Sequence, residues 1–138
     1  MIVLKGGVGT GKTTQLLQLA NKLKCTLVVH NPNMAQMLKR EAERLGYKIP
    51  NPISYAKFVH DGRFGSNYRY ALDDLNAFMK YMFDECIIAT TIDDTGFDFC
   101  RVLTSVSGQT ALEAYVTSEL ELDLFEGEAY DGLAWKSN

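Results

Sequence analysis

Gly6-Gly7-Val8-Gly9-Thr10-Gly11-Lys12-Thr13 satisfies every fixed position of the pattern G-x-x-x-x-G-K-[ST]. Met1 to Lys5, a short apolar run, precedes it and reads as a buried strand. After Gly11 the period changes: Leu16, Leu17, Leu19, Ala20 and Leu23 fall on one helical face. A glycine-rich turn between a strand and a helix is a device for holding phosphate. Four glycines let the backbone wrap closely enough to aim N–H groups at phosphate oxygens. The helix N-terminus adds partial positive charge at the same point. Lys12 supplies a mobile cation and Thr13 a hydroxyl suited to Mg²⁺.

Outward from this loop the chain alternates strand-like and helix-like segments. Thr26 to His30 is short and β-branched, hence a second strand. Asn31-Pro32-Asn33 is a turn and helix start, and Met34, Met37, Leu38, Ala42 and Leu45 keep helical spacing up to Gly46, a C′ residue. Ile53 to Val59 reads as a strand, Asp61 to Asn67 as a loop, Tyr68 to Leu72 as a strand and Leu75 to Phe83 as a helix. Cys86 to Ile92 reads as a further clear strand. Such alternation predicts an α/β fold of three layers, with a mostly parallel sheet between helices. Past Asp94 two readings stay open. Leu112, Val116, Leu120 and Leu124 suit a helix from about Gln109, whereas Glu119 to Leu124 alternates as a strand does.

The 138 residues and 15.4 kDa suit one domain, read here as residues 1–138 with a core over 1–94 and an acidic part over 95–138. A hydrophobic fraction of 46% and a mean hydropathy of −0.11 exclude a disordered tail or a collagen-like repeat. No apolar run reaches the ~18–20 residues of a membrane span, and Met1 leads into Ile-Val-Leu without a basic leader, so a cytoplasmic protein without membrane partners is expected. Cys25, Cys86 and Cys100 have neither zinc nor redox spacing and are expected to be reduced and mostly buried. Residues 1–70 carry a net charge of +8 and residues 71–138 one of −11; Glu113 to Asp131 holds seven carboxylates and no base. That split fits an anionic ligand at one end, or a dipolar surface.

The octapeptide resembles the Walker A motif of P-loop NTPases, a resemblance that covers residues 1 to about 94. It implies binding of ATP with Mg²⁺, with Gly6, Gly7, Val8, Gly9, Thr10, Gly11, Lys12, Thr13 and Thr14 around the phosphates. A carboxylate at another strand end would share the metal with Thr13. Asp73, after Tyr70-Ala71-Leu72, is taken for that role, with Asp93, after Thr91-Ile92, as the alternative. With Asp73 the next strand brings Thr90 and Thr91 to where the additional-strand class (helicase, AAA and RecA types) keeps a polar γ-phosphate sensor. The sheet order implied is 5-1-4-3-2. Leu72 to Phe78 also resembles the strand end and helix of small phage-encoded ATP-binding proteins, whose setting would be the host cytoplasm. Asp74 then stands where this class has the glutamate that polarises water, one methylene shorter. The same two acids equally suit a helix N-terminus.

The resemblance implies slow ATP hydrolysis in DNA metabolism, with DNA, a DNA-processing protein or further copies of the chain as partners. A non-catalytic nucleotide switch is the alternative. Gly11 to Ala20 is also similar to the start of thymidylate kinase, although residues 71–138 hold one arginine, Arg101, where that family needs an arginine-rich lid. Arg63, Arg69 and Arg101 are the arginine-finger candidates. Lys22, Lys24, Lys39, Arg40, Arg44 and Lys48 could meet a phosphate backbone. His30 and Asn31 end the second strand where ligands sit in open α/β sheets.

Overall fold

The computed structural model describes residues 2–6, 11–91, 99–105, 110–116 and 133–137. In chain order they form β1 (Ile2–Lys5), α1 (Lys12–Leu23), β2 (Thr26–Val29), α2 (Pro32–Arg44), β3 (Ile53–Ser54), α3 (Tyr55–Asp61), β4 (Tyr70–Leu72), α4 (Leu75–Phe83), β5 (Phe99–Ser105), β6 (Thr110–Val116) and β7 (Leu133–Ser137). The architecture is α/β, as expected, and it divides into two compact units: Met1–Lys12 with Thr91–Asn138, and Thr13–Thr90. Among the described residues no helix is long and apolar enough to cross a membrane.

The unit from Thr13 to Thr90 is built on a parallel sheet of order β3-β2-β4. Leu27, Val28 and Val29 of the central strand are fully buried, as a parallel strand covered on both faces requires. Leu17 and Ala20 of α1 and Ala35, Leu38 and Ala42 of α2 close the core around β2, with Cys25 and Ile49. Each large side chain buried there contributes about 1.5–3 kcal/mol. Burial also pushes the Cys25 thiol above its ordinary pKa. Cys86, by contrast, is exposed, against the expectation of buried thiols.

Local chemistry sets the ends of α2. Asn31 is its N-cap, its Oδ1 accepting from the Met34 N–H at 2.8 Å, and Pro32 occupies the first turn. At the other end Gly46 takes φ +77°; its N–H reaches the Glu43 carbonyl and that of Tyr47 the Ala42 carbonyl. This is the Schellman arrangement, with Gly46 at C′ as expected.

Three expected elements form differently. The strand over Ile53 to Val59 stops after two residues, because the Ser54 Oγ accepts from the Lys57 N–H at 3.2 Å and caps α3. A local cap here overrides β-branched propensity. Residues 86–91, expected as a strand, have no regular structure and are exposed, Ile88 by 95%. Apolar and β-branched composition alone does not make a strand, because strand propensity depends on context. Of the readings left open past Asp94, the helix from about Gln109 does not form over the described residues: Thr110–Val116 is β6. Leu112 and Val116 share a strand face as readily as a helix face, since their spacing of four is a multiple of two. Leu120, Leu124 and the alternating run from Glu119 lie outside the described residues.

The other unit holds an antiparallel sheet of order β1-β6-β5-β7. Ile2 pairs with Val116 and Lys5 with Glu113, so β1 runs antiparallel to β6. The described strands therefore do not form the 5-1-4-3-2 order, in which β1 lies within the parallel sheet.

Candidate functional site

β1 ends at Lys5, Gly6 leaves it, and α1 begins at Lys12, so the octapeptide sits between a strand and a helix as its pattern demands. Gly7, Val8, Gly9 and Thr10 lie outside the described residues. Gly11 has φ +84°, in the left-handed region that favours glycine. The Lys12 Nζ donates to the Gly6 carbonyl. No acidic residue occupies the first turn of α1. Thr13 is exposed and Thr14 half-buried there.

Asp73 follows β4 directly and its N–H donates to the Val28 carbonyl at 2.9 Å, extending the β2–β4 ladder by one bond. Its side chain is half-exposed at the C-terminal end of the parallel sheet. Asp74 has φ +59°, ψ +83°, and caps α4, its Oδ1 accepting from the Ala77 N–H at 3.1 Å. Aspartate tolerates this left-handed conformation better than most residues. Asp74 thus does the capping job that the sequence left open for it. His30 and Asn31 end β2 on the same sheet edge, and Asn31 is occupied as the α2 cap.

Thr90 and Thr91 end the irregular exposed segment, not a strand. Asp93 lies outside the described residues. Arg63 and Arg69 are exposed and precede β4, whereas Asp73 follows it, so these finger candidates stand at the opposite end of the strand from the carboxylates. Arg101 is in β5. Of the basic set, Lys24 donates to the Lys48 carbonyl at 2.9 Å and Lys39 to the Ile49 carbonyl at 2.8 Å, while Arg44 pairs with Glu41. Two of these cations hold the segment that follows α2. Among the described residues no three His, Cys, Asp or Glu side chains gather as metal ligands.

Tyr55 has a part at this corner that no local signal in the sequence marks. Its hydroxyl donates to the Asp73 carbonyl at 2.5 Å and reaches the Asp74 carbonyl at 3.2 Å. The residue is 1% exposed, with its ring edge-on to His30 at 5.6 Å and to Phe78 at 5.2 Å. Burial first, and then the nearby charges of Asp73 and Asp74, push the Tyr55 pKa up to about 12. Tyr55 therefore buttresses the corner that presents both carboxylates. The sequence shows there only a tyrosine one residue after a serine able to cap a helix. Gln15 and Gln18 are unmarked as well. Both are buried on α1, and Gln15 Oε1 and Nε2 and Gln18 Oε1 have no hydrogen-bond partner among the described residues. Nothing in the periodicity of α1 marks them, since buried glutamine is uncommon.

Compared with protein-family models, with curated proteins and with solved structures, the chain matches none.

Proposed function

We propose that this chain is a minimal P-loop nucleotide-binding domain that takes up Mg²⁺-ATP and hydrolyses it slowly, in the cytoplasm, within a larger assembly that serves DNA metabolism. The observation that carries this is the complete G-x-x-x-x-G-K-[ST] octapeptide between β1 and α1, with Gly11 at positive φ. In this reading the backbone of Gly9 to Thr14 cradles phosphate and the Lys12 ammonium leaves the Gly6 carbonyl to meet it. The Thr13 hydroxyl and the Asp73 carboxylate are hard oxygen donors of the kind Mg²⁺ takes, and the ion would neutralise charge on the β- and γ-phosphates. Asp93 is the alternative metal ligand. A nucleotide titration with and without Mg²⁺ tests the proposal. Saturable ATP binding weakened by a chelator supports it; none up to millimolar ATP overturns it.

The capping bond of Asp74 favours a second reading, a nucleotide switch with negligible turnover, because a carboxylate oxygen held by Ala77 N–H is less free to act as base. Asp74→Asn separates the two. Asparagine caps as well as aspartate and tolerates positive φ, so the thermal midpoint should hold. If Asp74 activates water, phosphate release falls by about 10²-fold or more. An unchanged rate assigns Asp74 to the helix cap alone.

The 5-1-4-3-2 sheet order of the additional-strand class belongs to the same proposal.

A further inference from the structure

The loop from Gly62 to Arg69 joins α3 to β4 at the N-terminal end of the parallel sheet, opposite the end that carries Asp73. Its sequence, Gly-Arg-Phe-Gly-Ser-Asn-Tyr-Arg, contains two arginines and no acid. Phe64 at its tip is 74% exposed, far more than an apolar ring of this size needs to be. The ring forms a T-shaped pair with Phe58, with centroids 5.7 Å apart and planes at 86°, and most of its surface stays open to solvent. Phe58 is anchored in turn by edge contacts to Tyr70 at 4.9 Å and Phe78 at 5.9 Å.

The loop is also held in shape. A Cβ on Gly62 would stand 2.2 Å from the Phe58 carbonyl oxygen, and Gly65 has φ +128°, so both positions demand glycine. The Arg63 N–H donates to the Tyr70 hydroxyl at 3.2 Å, and the Tyr68 N–H to the Gly65 carbonyl at 3.1 Å. The Arg69 carbonyl accepts from the Thr26 N–H, which brings Arg69 beside the start of β2, two residues after Lys24. Arg63, Arg69, Tyr68 and Lys24 are all exposed. The acid nearest in sequence, Asp61, is 3.3 Å from His60.

We propose that this loop is a binding surface for single-stranded nucleic acid, with Phe64 as a stacking platform for one base and Arg63, Arg69 and Lys24 on the phosphates. An exposed aromatic ring on a loop that also carries two exposed arginines fits an unstacked base and its backbone, because every base has a π-face and a duplex hides it. A pre-formed loop spares the ordering cost of binding. The surface stands independently of nucleotide binding, since it uses none of the residues assigned to phosphate or metal.

The test is fluorescence anisotropy of the full chain, without ATP, on a labelled oligothymidylate of about 20 nucleotides and on the matching duplex. The single strand should bind more tightly, with a log–log salt slope near −2 for about three phosphate contacts. Phe64→Ala should weaken binding about fivefold to a hundredfold with an unchanged thermal midpoint, and Phe64→Trp should retain it. Arg63→Gln with Arg69→Gln should flatten the slope by about 1.4. No saturable binding at ~50 mM salt, tighter binding of the duplex, or equal binding by Phe64→Ala would each overturn the proposal.

Discussion

Lys12→Ala is expected to weaken ATP binding about 10- to 100-fold in a titration at fixed Mg²⁺, with a parallel loss of turnover. A hydrogen bond to a charged group is worth about 1.5–3 kcal/mol, and each 1.4 kcal/mol is a factor of ten. The side chain leaves the first residue of α1 and at present donates to the Gly6 carbonyl. Exchanging that neutral acceptor for phosphate strengthens the bond, because hydrogen bonds between charged partners are the stronger ones. Lys12→Arg should not restore affinity, because a planar fork cannot replace a compact ammonium inside a tight loop. Equal ATP affinity in wild type and Lys12→Ala would refute the phosphate role of the octapeptide.

Tyr55→Ala should cost about 3–5 kcal/mol of stability, as for other buried aromatic truncations. That is a large part of the ~5–15 kcal/mol of a whole domain. The ring is shared by His30, Phe78 and Tyr81, so its loss opens the contact between α3 and α4. Tyr55→Phe keeps the ring and removes only the donor to the Asp73 and Asp74 carbonyls, for about 1–3 kcal/mol. The hydroxyl also sets a pH dependence. Folded Tyr55 keeps its proton up to about 12, whereas the unfolded residue loses it near 10. Between those values the unfolded state binds fewer protons, so stability is intact below pH ~10 and falls as pH rises toward 12. Denaturant midpoints across that window should decline in wild type and decline less in Tyr55→Phe. Equal slopes would show that the hydroxyl does not stay protonated in the fold.

Much of the unit from Thr13 to Thr90 was legible because its signals are local. Asn31-Pro32 and Gly46 bracket α2 through side-chain and backbone bonds that span at most five residues, and α2 forms where they place it. Leu75 to Phe83 is likewise helical over the expected span. The candidate site was legible in part. The place of Asp73 directly after a strand was legible from the apolar triplet before it, and Asp74 was given both of its readings. Tyr55 was not found, because the bond that gives it meaning joins residues 18 apart in sequence.

Two segments show what local signals leave undecided. Residues 86–91 and Thr110–Val116 have compositions that suit more than one element, and only a pairing partner decides between them. Thr110–Val116 is a strand because β1 and β5 flank it, whereas residues 86–91 carry no regular structure. Composition and spacing alone were enough for the octapeptide, the caps of α2 and the α/β class, since each depends on residues near one another in the chain. Strand order, the direction of β1 and the buttress beneath Asp73 came only with the assembled fold. Hydrogen bonds between strands, and a hydroxyl reaching across a core, are set by neighbours that the linear chain does not name.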